Sequence, residues 1–112
     1  MAYIPEQGDI IYLDFDPQAG HEQKGRRPAL VVSNLTYNKI TKMALVCPIT
    51  NTNRNFPLHV PLDLSTQTTG YIMCEQVKAL DISVRNASLK EKAPNNIVQE
   101  VFDILYGIIE IE

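Results

Sequence analysis

The chain has 112 residues, 45% of them apolar, which is enough for one hydrophobic core and too little for two, so residues 1–112 are read as a single domain. Its formal charge is -3, and no run approaches the roughly 18 consecutive apolar residues that would span a bilayer, so no membrane partner is expected. Met1 to Gly8 carries Glu6 and no cationic start, so no secretory leader is expected and the chain is placed in the cytoplasm.

Asp9 to Phe15 and Pro28 to Asn34 are short, rich in β-branched or aromatic residues and bounded by Gly, Pro or Asn, and they read as strands. A short helical turn is expected over Leu35 to Thr41. Further strands are expected over Met43 to Ile49, Phe56 to Leu62, Tyr71 to Val77 and Lys78 to Ser83. Pro57 and Pro61 make the run between them an edge or a bulged strand, because proline cannot donate to a ladder. Cys47 and Cys74 lie inside apolar runs without metal-ligand spacing and are expected to be buried, reduced thiols. Only the C-terminus has a helical period. Ile97, Val101, Ile104, Leu105, Ile108 and Ile109 form one stripe, and Pro94 suits the first helical turn. Many short strands followed by one helix predict a mainly β (α+β) fold, a small twisted antiparallel sheet or partly closed barrel with a packed helix.

Three polar clusters interrupt this pattern. The first, Gly20 to Pro28, brings His21, Glu22, Gln23, Lys24, Arg26 and Arg27 into nine residues. It holds groups that move protons near neutral pH and groups that grip phosphate, though the same composition also makes a solvated turn. Six bases, Lys24, Arg26, Arg27, Lys39, Lys42 and Arg54, stand against Glu22 alone in residues 21–54, a local +5 inside an acidic chain. The second cluster, Thr50 to Asn55, supplies Asn51, Asn53 and Arg54 as donors and acceptors. The third is Cys74 to Lys78, where strand alternation would send Glu75 and Val77 to one face and Gln76 and Lys78 to the other. Phosphate-loop, nucleophile-elbow and His-Glu-x-x-His motifs are absent, and His21 and His59 are too distant in sequence to argue for a shared metal. His59 reads as a surface or core histidine.

In order, Gly8 to Pro17, Gly20-His21-Glu22-Gln23, Arg27 to Val32, Cys47-Pro48-Ile49-Thr50, Thr69-Gly70, Glu75 to Lys78 and Leu80-Asp81 resemble the MazF/PemK (Kid) family of toxin endoribonucleases. The resemblance implies an SH3-like small barrel or twisted antiparallel sheet with a C-terminal α-helix. It also implies a homodimer, metal-independent cleavage of single-stranded RNA without a cofactor, and a MazE-like antitoxin with an acidic tail. By motif position Arg27 and Thr50 are the catalytic pair, with Glu22 and His21 on loop positions tied to activity or RNA binding. The Kid branch has an Arg-x-Asp pair where this chain has Met73 and Glu75, so that branch's acid/base scheme does not transfer whole.

The expected chemistry is attack of the ribose 2'-hydroxyl on the adjacent phosphorus, leaving a 2',3'-cyclic phosphate and a 5'-hydroxyl. Arg27 would stabilise the phosphorane, Thr50 hold a phosphate oxygen, Glu22 serve as base and His21 as acid or as a donor to phosphate. Gln23, Lys24, Arg26, Asn51, Asn53, Arg54, Glu75, Gln76, Lys78 and Arg85 are the expected RNA contacts. Two rivals remain at this point: a CcdB-like toxin that binds gyrase without catalysis, and an RNA-binding module that leaves its RNA intact.

Overall fold

The computed structural model describes residues 3–15, 25–52 and 56–112. Its strands are β1 (Asp9–Asp14), β2 (Arg26–Val31), β3 (Met43–Thr50), β4 (His59–Pro61), β5 (Tyr71–Met73), β6 (Lys78–Asp81) and β7 (Ser88–Lys92). All pairings among these are antiparallel. The main path runs β4-β5-β3-β2-β1-β7, with β6 joined to β3 beside it. β4 and β7 end the path without meeting, so the sheet is open, and the barrel alternative is corrected. A three-residue β4 that ends in Pro61 is a poor edge for a further strand, because proline has no amide to donate.

Alternation divides the interior into two cores. Ile10, Leu30, Cys47, Ile49 and Ile72 point to one face, where they pack on Ile97 and Val101 of the C-terminal helix α2 (Asn95–Ile109). Ile11, Leu13, Ala29, Val31, Ala44 and Val46 point to the other, where they cluster with Leu80, opposite Ala44 on β6, and with Ile82. The short helix α1 (Leu35–Thr41) forms as expected. The Asn34 side chain accepts from the Tyr37 amide at its start, and Lys42 ends it in the left-handed region at φ 60.

β3 is the branch point. Its first half pairs with β6, where Val46 faces Lys78, and its second half pairs with β5, where Ile49 faces Ile72. Between the two ladders the register slips by three residues, which a 3-10 turn at Cys74–Gln76 takes up. The expected strand from Tyr71 to Val77 therefore ends at Met73, and the alternation assigned to Glu75 through Lys78 does not hold. The expected strand from Phe56 to Leu62 shrinks to His59–Pro61, with Pro57 in a turn.

β7 carries no sequence signal, because Ser88 to Lys92 is a largely exposed edge strand without apolar alternation. Pro94 is the cap residue before α2, in extended conformation, and does not lie inside its first turn. Cys47 and Cys74 are buried free thiols, as expected. Among the described residues no helix is long and apolar enough to cross a membrane.

Candidate active site

Arg27 stands opposite Leu13, whose side chain lies in the core on the face that α2 leaves uncovered. Ala29 faces Pro48 across β2 and β3, and the same register carried two residues further brings Arg27 beside Thr50. Thr50 in turn faces Tyr71 on β5. By strand alternation from those paired residues, an exposed Arg27 and a buried Thr50 lie on one face, the one away from α2, two residues beyond the last β2–β3 pair. The Thr50 hydroxyl accepts from the Thr52 amide at 3.2 Å. A planar fork of donors next to a fixed hydroxyl can hold two oxygens of one phosphate and stabilise charge that develops there.

Further cations adjoin this pair. Lys78, opposite Val46, shares the face and places its ammonium 6.0 Å from the centre of the Phe15 ring. An Arg85 guanidinium nitrogen donates to the Asp14 carbonyl at 3.1 Å. The Phe15 amide donates to the Gly25 carbonyl at 2.9 Å, which closes the neck of the segment between β1 and β2 two residues before Arg27. His21, Glu22, Gln23 and Lys24 fall in that segment and lie outside the described residues, as do Asn53 and Arg54.

The remaining expected contacts divide between the two faces of the sheet. Arg26 turns to the opposite face, 5.8 Å above the Tyr12 ring, 3.4 Å from Asp14 and 3.3 Å from Ser88. Neighbouring strand residues must point apart, so the adjacent arginines cannot serve one surface. Lys39 and Lys42 belong to α1 and its cap, and Lys42 is roughly 25 Å along β3 from Thr50 at strand rise. The +5 stretch of sequence is thus divided in space. Asn51 Oδ1 accepts from the Thr69 hydroxyl at 2.9 Å. Glu75 meets His59 at 3.0 Å, while Gln76 Oε1 is buried without a hydrogen bond among the described residues. No group of three or more metal-ligating side chains occurs among the described residues.

Sequence reasoning did not single out Phe15, Tyr71 or the contact of Gly70 with Thr50. Phe15 and Tyr71 look like ordinary strand aromatics, and only their registers place them beside Lys78 and Thr50.

The family of PemK-like, MazF-like toxins of type II toxin-antitoxin systems matches residues 6–108. The chain belongs to this family. The endoribonuclease PemK of Escherichia coli is 36% identical over 108 residues, covering 93% of this chain and 81% of the relative. A crystal structure of MazF from Deinococcus radiodurans superposes with a TM-score of 0.92 at 35% identity, covering 98% of this chain and 100% of that one. The same organism's MazE-MazF complex gives a TM-score of 0.87 at 35% identity, covering 99% and 100%. For a member of the MazF/PemK family, the matched span contains the whole sheet, and with it both Arg27 and Thr50.

Proposed function

We propose that residues 1–112 act as one toxin domain of a type II toxin-antitoxin system, a cytoplasmic endoribonuclease that cuts single-stranded messenger RNA and so stops translation and growth. The observation that carries this reading is the placement of Arg27, Thr50 and Lys78 on one face of the open sheet, in a chain of this family.

The attacking group is the 2'-hydroxyl of the RNA. Arg27 neutralises charge on the phosphorane, and because a guanidinium stays cationic in proteins it serves as a fixed charge and a poor proton donor. Thr50 holds a phosphate oxygen. Glu22 takes the 2'-hydroxyl proton and His21 protonates the leaving 5'-oxygen. Neither a metal nor a cofactor is required, since nucleophile, acid and base are all accounted for. Lys78 and Arg85, with Lys24 and Arg54, position the strand through its phosphates, and Asn51, Asn53 and Gln23 meet base edges. Arg26, turned to the other face, contributes less.

The partners are a MazE-like antitoxin and a second copy of the chain. The solved MazE-MazF complex of the related toxin supports the first, and an acidic antitoxin tail suits a face bearing Arg27 and Lys78. Tyr106, Ile108 and Ile109 lie exposed on α2 beside a groove of about 440 Å³ lined by Leu45, Val77, Phe102 and Leu105, which supports the second.

Labelled single-stranded RNA incubated with the purified protein and a chelator tests the reading. The expected products carry 2',3'-cyclic phosphate ends, Arg27→Ala lowers the rate by at least about 100-fold, and deoxyribose at the scissile nucleotide prevents cutting. Intact RNA, or an Arg27→Ala protein of near-parental rate, would overturn it.

A further inference from the structure

His59 on β4 faces Met73, two residues from Tyr71 on β5, so it lies on the same sheet face as Thr50 and Arg27. Two strand spacings and one residue pair separate it from Thr50, roughly 12 Å. The imidazole is 5% exposed, its Nε2 is 3.0 Å from Glu75 Oε2, and the Phe56 ring meets it edge-on with centroids 5.1 Å apart. His59 Nδ1 is buried and has no hydrogen-bond partner among the described residues. Glu75 and Phe56 remain open to solvent, with the carboxylate 26% and the phenylalanine 43% exposed. Solvent therefore meets a carboxylate edge and an aromatic ring, both braced on one buried histidine.

We infer that Glu75 and Phe56 form a nucleobase subsite for the RNA strand whose phosphate lies at Arg27 and Thr50, with His59 the positioning residue that fixes the carboxylate. This inference rests on the RNA-cleaving reading above. An ionised carboxylate only accepts hydrogen bonds, so it suits a base that presents an exocyclic amine: N4 of cytosine, N6 of adenine, or N2 of guanine, whose ring N1–H adds a second donor beside it. Uracil presents two carbonyl oxygens around a single N–H and is repelled. Phe56 offers a ring for the base to stack on, which tolerates any base and leaves the choice to Glu75. The backbone equips the turn for this task. The three-residue slip at Cys74–Gln76 lifts Glu75 out of the ladder, so its side chain is aimed by His59 and not by strand alternation.

The test uses the full chain and two pools of randomised single-stranded RNA, one with 2'-O-methyl riboses that can be bound but not cut, and one unmodified. At one position the parent protein should favour amine-bearing bases over uracil by about tenfold, and Glu75→Gln, whose amide both donates and accepts, should admit uracil there within about threefold. His59→Gln, which keeps a donor toward Glu75, should retain most of the preference. His59→Leu should lose it. Loss of binding and cutting by a common factor for every sequence in Glu75→Gln and His59→Leu would overturn the subsite, since that is what a merely structural pair produces. A shifted base preference in the uncut pool together with no cutting by the parent protein would sustain the subsite and refute the nuclease reading.

Discussion

Gly70 leaves no space for a side chain over Thr50: a β-carbon there would stand 2.4 Å from the Thr50 carbonyl oxygen and 3.1 Å from Asn51 Oδ1. Its φ of +120 is also one that other residues rarely adopt. Gly70→Ala should therefore force β5 away from the end of β3, costing about 2 kcal/mol or more in urea unfolding. Cleavage measured well below the unfolding transition should fall as well, because Thr50 moves with the strand end. A variant of parental stability and rate would contradict the contact.

Thr50 itself can be probed without leaving a cavity. Thr50→Val keeps the shape and the β-branching but removes the hydroxyl that accepts from the Thr52 amide. We expect a thermal midpoint within a few degrees of the parent and a cleavage rate lower by about tenfold or more, with Thr50→Ser restoring most of it. If Thr50→Val cleaves as fast as the parent, the hydroxyl has no part in the reaction.

Tyr3 predicts the behaviour in alkali. Asp9, 1% exposed, accepts from the Tyr3 hydroxyl, from the Glu6 amide at 2.9 Å and from Lys92 Nζ at 2.7 Å. Burial first, then the hydrogen bond and charge of Asp9, hold the Tyr3 phenol well above its ordinary value. The hydrogen bond to Asp9, then that to Glu6, raises Lys92 also. Above about pH 10 the unfolded chain releases these protons before the folded chain does, so stability is complete below that pH and declines as pH rises. Tyr3→Phe should lower the urea midpoint at neutral pH, yet flatten its fall between about pH 9.5 and 11. An unchanged slope would count against the assignment.

Cys47 and Cys74 should resist reagents in the folded protein. Both are fully buried, and continuing the register of Ile49 with Ile72 sets them opposite each other. The hydrogen bond with Cys74, then burial, pushes the Cys47 thiol up, which suppresses its reactive thiolate. Iodoacetamide should label neither thiol in buffer and both in denaturant, read by intact mass. Rapid labelling in buffer would show that one of them is accessible.

Much of the fold was legible because its signals are local. The stripe from Ile97 to Leu105 and the runs at Asp9 and Met43 each bury a face whose period is written in consecutive residues. β7 was illegible because an exposed edge strand is held by backbone hydrogen bonds to β1, which any side chains permit. The 3-10 turn at Cys74 was illegible for a related reason. It exists to reconcile two ladders on β3, and neither ladder can be seen from the five residues around it.

The candidate site divides in the same way. Sequence alone determined the family, the residue types available and the choice of Arg27 and Thr50, since motif order and side-chain chemistry are properties of the chain itself. Which of those residues share a surface was decided by the tertiary structure. The pairing of β2 with β3 sets Arg27 and Thr50, 23 positions apart in sequence, on one sheet face, while alternation within β2 turns Arg26 away from its immediate neighbour. The structure alone joined His59 to Glu75, because a contact between side chains of two different elements depends on a register that no single segment encodes.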